Sequence, residues 1–224
     1  MRLGLSDFLV VLIAYLIGSI PCSYLVARWR AGVDIRERGE GNVGARNVYH
    51  VVGPAWGVLA AVLDIAKGLA AYLLASAAVR HYGVSSTALL ACGFATPLGH
   101  NFSPFLRFRG GKGVATTIGF LAGYLPYSTL AGGLVALIVY LLTRDMNRVL
   151  VIGIAVTIFL PPLFGAPLWA IPYSLCLFLL LGVKKILDAR HEREVWARDP
   201  WARGRPGFHP KGADENGQAP AGKP

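Results

Sequence analysis

Charge is scarce in this chain, and negative charge scarcest. Asp, Glu, Lys and Arg make up 15% of 224 residues, with 12 acidic against 22 basic side chains. So small a charged share, beside 54% hydrophobic residues and a mean hydropathy of +0.51, excludes an ordinary soluble surface. Cysteine is limited to Cys22, Cys92 and Cys176, an odd number without C-x-x-C spacing. That argues against a disulfide framework or a thiolate metal site and for small packing residues inside apolar runs. The signs of a cleavable leader are missing too. No basic segment and no small-residue cleavage pattern frame the first apolar run, so it reads as a retained helix.

What is present is long apolar runs, several of them able to cross about 30 Å of hydrocarbon. The expected spans are residues 5–27, 51–79, 86–105, 114–125, 127–143, 149–164 and 168–183. The first is interrupted by Gly18, Ser19 and Pro21, so a serine or a neighbouring helix has to satisfy the backbone groups freed there. The fourth is short, since twelve residues rise only about 18 Å. Asp64 and Lys67 stand at i and i+3 inside the second span, as a structural ion pair or as part of a polar site. With the N-terminus outside, nearly all of the 22 lysines and arginines fall in cytoplasmic loops or the tail; Arg2, Arg80 and Lys67 are the exceptions. This asymmetry accounts for most of the net charge of +10 and removes the reason to read it as nucleic-acid binding. The expected fold is all-α: a polytopic membrane protein with seven transmembrane helices, its N-terminus outside and its C-terminus cytoplasmic. Residues 1–199 form the membrane domain, and residues 200–224, rich in Gly, Pro and polar side chains, read as a disordered cytoplasmic tail.

The most chemical stretch runs from Arg107 through Gly110, Gly111, Lys112 and Gly113 into the apolar run after Val114. Glycines let backbone N–H groups crowd an anion, Lys112 adds a mobile charge, and a helix beginning at Gly113 would aim its N-terminus at the same point. The full Walker spacing is absent. A phosphate cradle and a tight basic turn against anionic lipid both fit. Three polar segments (34–50, 107–113 and 184–198) share one membrane face, which suits a substrate with a soluble and a lipidic part. An anion transporter is the competing class, but no inverted repeat or paired broken helices support it.

Ala14-Tyr15-Leu16-Ile17-Gly18-Ser19-Ile20-Pro21, Gly41-Asn42-Val43-Gly44-Ala45, Asn47-Val48 and Asp64-Ile65-Ala66-Lys67-Gly68 together resemble the PlsY family. So does Gly99-His100-Asn101-Phe102-Ser103-Pro104-Phe105 leading into Phe108-Arg109-Gly110-Gly111-Lys112-Gly113-Val114-Ala115-Thr116. The resemblance covers about residues 10–195. It implies a bacterial inner-membrane enzyme, with its site on the cytoplasmic side, that moves an acyl group from acyl phosphate to glycerol 3-phosphate and yields lysophosphatidic acid for phospholipid synthesis. The implied partners are those two substrates, the bilayer and the soluble enzyme that supplies acyl phosphate.

Acyl phosphate is already activated, so the chemistry asks for cations and N–H donors around phosphate and a placed hydroxyl. It asks for no metal, cofactor or protein nucleophile. Lys112 with Gly110, Gly111 and Gly113 is expected to hold phosphate. Asn42 and Asn47 are amide donors to substrate or turn formers. His191 orients or deprotonates the glycerol hydroxyl, and His100 is a helix-end structural residue. The chain departs from the family at several points. Glu40 stands at a usual serine, His50 at a usual arginine, Arg46 where threonine is common, and Glu194 at the asparagine of His-x-x-Asn; a serine usual before the sixth span has no counterpart near Asn147. Glu40 beside phosphate repels it unless Arg46 compensates. A catalytically weakened paralogue that binds phospholipid precursors is therefore the alternative to the enzyme.

Overall fold

The computed structural model describes residues 4–198. The expected tail at 200–224 lies outside the described residues. Within them every regular element is helical. The first apolar run forms α1 (Leu5–Ser19) and α2 (Cys22–Ala31), divided at Ile20-Pro21. The carbonyls exposed by that break find donors on other elements. Ser103 Oγ donates to Ser19 O at 2.6 Å, and Lys67 Nζ donates to Ile20 O at 2.7 Å. Backbone groups inside an apolar layer require such partners.

After a polar loop, α3 (Ala45–Val51) forms a separate short helix. Gly53, at φ 135°, breaks the chain, and Pro54 occupies the first turn of α4 (Pro54–Tyr82), where its fixed φ and missing N–H do no harm. The second apolar helix thus begins at Pro54; Val51, its expected start, belongs to α3. Ser85 caps α5 (Ser86–Asn101) by accepting from Ala88 N at 3.1 Å. Then come α6 (Val114–Tyr124), α7 (Pro126–Thr143), α8 (Met146–Phe159) and α9 (Ala170–Arg198).

Helices stand in the seven expected places, but length and composition qualify four stretches among the described residues as able to cross a membrane: Leu5–Ala31, Pro54–Tyr82, Pro126–Thr143 and Ala170–Arg198. The helices Val114–Tyr124 and Met146–Phe159 are shorter. At 1.5 Å per residue α6 rises about 16 Å, roughly half the hydrocarbon layer.

Small residues set the packing. α1 lies along α5, α4 along α6, and α7 along α8. A Cβ at Gly18 of α1 would come within 2.0 Å of Thr96 O, and one at Gly99 of α5 within 2.0 Å of Tyr15 O. Gly68 and Gly119 stand in the same relation to Thr116 O and Ile65 O across α4 and α6. Backbones this close are how helices associate where lipid competes equally for apolar side chains. Leu130, Leu134, Leu137, Ile138 and Leu141 of α7 face outward and exposed, a surface suited to hydrocarbon.

Candidate active site

Three segments meet at one end of the bundle: the loop after α2, the glycine loop between α5 and α6, and the charged half of α9. Arg36 of the first loop donates from Nη1 to Leu106 O at 3.2 Å. Its guanidinium also grips Asp34, with Nη2–Oδ2 at 2.6 Å and Nε–Oδ1 at 2.9 Å. The side-chain hydrogen bonds from Arg36 hold the Asp34 carboxyl below the ordinary carboxylate range, and Asp34 raises the Arg36 guanidinium in return.

His191 binds the loop from the other side. Its Nε2 lies 3.0 Å from Arg36 O. A carbonyl can only accept, so the proton sits on Nε2 and the lone pair on Nδ1. Arg109 Nη2 lies 3.3 Å from that Nδ1. One residue on, Glu192 reaches Lys112 Nζ at 2.7 Å through Oε1 and 3.0 Å through Oε2. Lys112 thus pairs with the residue that follows His191 on α9, 80 positions away in sequence.

The glycines earn their places differently from expectation. Gly110 N donates to Asn101 O at 3.1 Å and Gly111 N to His100 O at 3.2 Å. Those two N–H groups bond to the end of α5, so their expected role as phosphate donors would require breaking these bonds. Side chains are excluded there because a Cβ at Gly110 would sit 2.0 Å from His100 O, and one at Gly111 1.9 Å from Val43 O. Gly113 adopts φ 82° as the residue before α6, a left-handed turn that glycine takes without strain. Asn101, with its amide turned to suit its neighbours, donates to Pro97 O, Lys112 O and Gly111 O at 3.0–3.2 Å. The loop is pinned by close approach, and Lys112 is the group it presents.

The two asparagines separate. Asn47 is fully buried. Its Nδ2 lies 2.9 Å from Ile35 O, 2.9 Å from Arg38 O and 3.0 Å from Asn42 O, while its Oδ1 accepts from Glu40 N at 2.9 Å. Its polar atoms shape the loop, the turn-forming arrangement of the two expected. Asn42 keeps a buried Oδ1 without a hydrogen-bond partner among the described residues. Glu40 lies 3.0 Å from Arg46 Nε and 3.6 Å from His50 Nε2, the compensation that a carboxylate at this point demands.

Beneath the loop lies a buried polar cluster of which sequence disclosed half. Asp64 Oδ1 pairs with Lys67 Nζ at 2.8 Å, and Ser23 Oγ donates to Asp64 Oδ2 at 2.7 Å. Lys67 also donates to Ile20 O and, at 2.9 Å, to His100 Nδ1. An ammonium can only donate, so His100 is neutral at Nδ1 and turns its other nitrogen toward the Val43 carbonyl. Asp64, Lys67 and His100 are 1%, 6% and 7% exposed. The cluster ties α2, α4 and α5 to the floor of the glycine loop, and His100 carries that load from the end of α5. On α9, buried Lys184 pairs with Asp188 and lies 5.4 Å over the Phe102 ring.

Among the described residues no group of His, Cys, Asp and Glu is placed to hold a metal ion. What the arrangement offers is cations that rest on the chain's own carboxylates: Lys112 on Glu192, Arg109 at 3.9 Å from Glu37, and Arg46 on Glu40.

Comparison with known proteins gives the family. The family model described as glycerol-3-phosphate acyltransferase covers residues 8–195. A glycerol-3-phosphate acyltransferase of Desulforudis audaxviator is 43% identical over 150 residues, 67% of this chain and 73% of that protein. The crystal structure of PlsY, an integral membrane glycerol 3-phosphate acyltransferase, in its glycerol 3-phosphate form, superposes with a TM-score of 0.72 at 32% identity. It covers 87% of this chain and 94% of that one. The lysophosphatidic acid form gives 0.70 at 31% identity with the same coverage. This chain belongs to the glycerol-3-phosphate acyltransferase family.

Proposed function

We propose that the protein transfers the acyl group of an acyl phosphate to glycerol 3-phosphate and releases lysophosphatidic acid and inorganic phosphate. The observation that carries this reading is that neighbouring residues of α9 hold both loops, Glu192 on Lys112 of the glycine loop and His191 on Arg36 O of the loop after α2. Solved PlsY in glycerol 3-phosphate and lysophosphatidic acid forms supports acceptor and product.

In this reading Lys112 takes the phosphate of the acyl donor, and the first N–H groups of α6 beside Gly113 add their dipole to it. A glycerol hydroxyl attacks the acyl carbonyl carbon; the new C–O ester bond forms as the bond to phosphate oxygen breaks. His191 Nδ1 takes the hydroxyl proton, its tautomer fixed by the Arg36 carbonyl. Arg109 swings from Nδ1 to the acceptor's phosphate. Phosphate departs with charge neutralised by Lys112, so no covalent enzyme intermediate is needed.

The membrane setting belongs to the same proposal: seven spans in a bacterial inner membrane, N-terminus outside, and the site facing the cytoplasm, where a soluble enzyme delivers acyl phosphate. The basic loops around Arg36 and Lys112 meet the charged half of α9 at the site, the distribution a cytoplasmic face favours. A weakened, precursor-binding paralogue is the second reading, favoured by Glu40 lying against Arg46. Phosphate release from acyl phosphate by the purified protein, with and without glycerol 3-phosphate, separates the two. Release that depends on glycerol 3-phosphate supports the enzyme, and none in either case supports the paralogue.

A further inference from the structure

Glu192 is unaccounted for by any step of the reaction, yet it occupies the best cation in the site. Its two carboxylate oxygens lie 2.7 and 3.0 Å from Lys112 Nζ, with both side chains about a fifth exposed (20% and 21%). The partners are held on separate, rigid supports. Lys112 follows the pinned glycines and precedes left-handed Gly113. Glu192 follows His191, itself anchored on Arg36 O, and one turn later Val195 is buried where a Cβ at Gly41 would come within 3.0 Å of it. Neither can drift far when the pair opens. A carboxylate and a phosphate offer an ammonium the same kind of acceptor, two or three anionic oxygens at hydrogen-bond distance. Lys112 donates to Glu192 Oε2 at 3.0 Å, whereas Oε1 at 2.7 Å is buried without an aligned hydrogen bond, so the pair leaves one carboxylate oxygen unsatisfied and a phosphate that aligns more of its oxygens competes with it.

We infer that Glu192 is a resident competitor for the phosphate site: its carboxylate holds Lys112 between turnovers, yields to the phosphate of the incoming substrate, and returns to displace inorganic phosphate after acyl transfer. It is a residue that sets phosphate affinity rather than one that takes part in bond making. This inference rests on the reading that Lys112 binds phosphate. Its cost is weaker substrate binding, and its benefit is that a dianionic product does not stay on a lysine in a half-buried pocket.

The test uses the full-length protein in detergent micelles with inorganic phosphate as the probe, at constant ionic strength. Phosphate affinity is read from its stabilisation of the protein against thermal unfolding, and in parallel as product inhibition. Glu192→Gln keeps the shape and removes the charge. It is expected to tighten phosphate by about tenfold, the worth of one charge-assisted contact, and to lower KM for acyl phosphate while kcat stays level or falls. A purely structural Glu192 would instead lower the melting temperature and raise KM. Glu192→Asp, with a shorter reach to Lys112, is expected to fall between parent and Glu192→Gln, and it carries the test if the amide variant does not fold. Unchanged or weakened phosphate binding in the folded variants overturns the inference. Lys112→Ala tells the two levels apart. If it abolishes phosphate stabilisation while Glu192→Gln changes nothing, only the competitor role falls; if Lys112→Ala leaves phosphate binding intact, the phosphate-site reading falls with it.

Discussion

Replacing Lys67 with methionine removes an ammonium that bonds Ile20 O at 2.7 Å and His100 Nδ1 at 2.9 Å and pairs with the Asp64 carboxylate at 2.8 Å. Methionine fills the volume but leaves Asp64, 1% exposed, as a buried anion with Ser23 as its remaining hydrogen-bond donor. Breaking one side of such a pair costs about 3–5 kcal/mol, most of it the desolvated charge left behind. Removing the charge as well, in Lys67→Met with Asp64→Asn, should recover about half. The rest stays lost because Ile20 O and His100 Nδ1 lose the ammonium as a donor and keep only the Cys22 N–H at 3.0 Å and the Thr116 hydroxyl at 3.3 Å. At about 2–4 °C per kcal/mol for a protein of this size, the single variant should melt about 6–20 °C below the parent and the double variant should lie between them. The assay is thermal unfolding of the three proteins in one detergent, read by tryptophan fluorescence. A single variant as stable as the parent, or a double variant less stable than the single, would refute the argument that the pair is held by mutual need rather than by bundle packing.

Gly111→Ala should lower the melting temperature and impair glycerol-phosphate kinetics together. Its Cβ would lie 1.9 Å from Val43 O and 2.4 Å from His100 Nε2, and overpacking of this kind costs about 1–3 kcal/mol; an alanine variant of parental stability and rate would show that the close approach is relaxed in solution. Arg46→Ala should harm acyl transfer more than Arg46→Ala combined with Glu40→Ser, because the single change strands the Glu40 carboxylate that now lies 3.0 Å from Arg46; strictly additive rates would remove the pairing. Reporter fusions after Arg46, Lys112 and Asn147 should all report cytoplasm, and an external signal at Asn147 would take α6 out of the count of spans.

Much of this arrangement was legible because it is local. Asp64 and Lys67 are neighbours by helical spacing, and the six-residue gap between Glu40 and Arg46 made their pairing the first candidate. What sequence left open was which of several reasons required a given residue. Gly110 and Gly111 read equally as an anion cradle or as a tight turn, since glycine serves close approach, positive φ and exposed N–H groups alike; only the nearness of His100 O and Val43 O decides. Asn42 and Asn47 look equivalent in a motif, and burial separates them. Lys67 with His100 and Lys112 with Glu192 join elements far apart in the chain, where no periodicity points from one partner to the other. The membrane count was least legible of all: α6 is apolar enough for a span but half the length of one, and its place depends on the neighbours it packs against.

The central claim is acyl transfer at the site of Lys112 and His191. The most direct measurement is release of inorganic phosphate from long-chain acyl phosphate by the purified protein, with glycerol 3-phosphate present or omitted, in the parent and in Lys112→Ala. The account expects release that depends on glycerol 3-phosphate, appears with equimolar lysophosphatidic acid, and falls about tenfold to a hundredfold in kcat/KM for the alanine variant through loss of a charge-assisted contact worth about 1.5–3 kcal/mol. Release indifferent to glycerol 3-phosphate, or a folded Lys112→Ala protein that works as well as the parent, would contradict it.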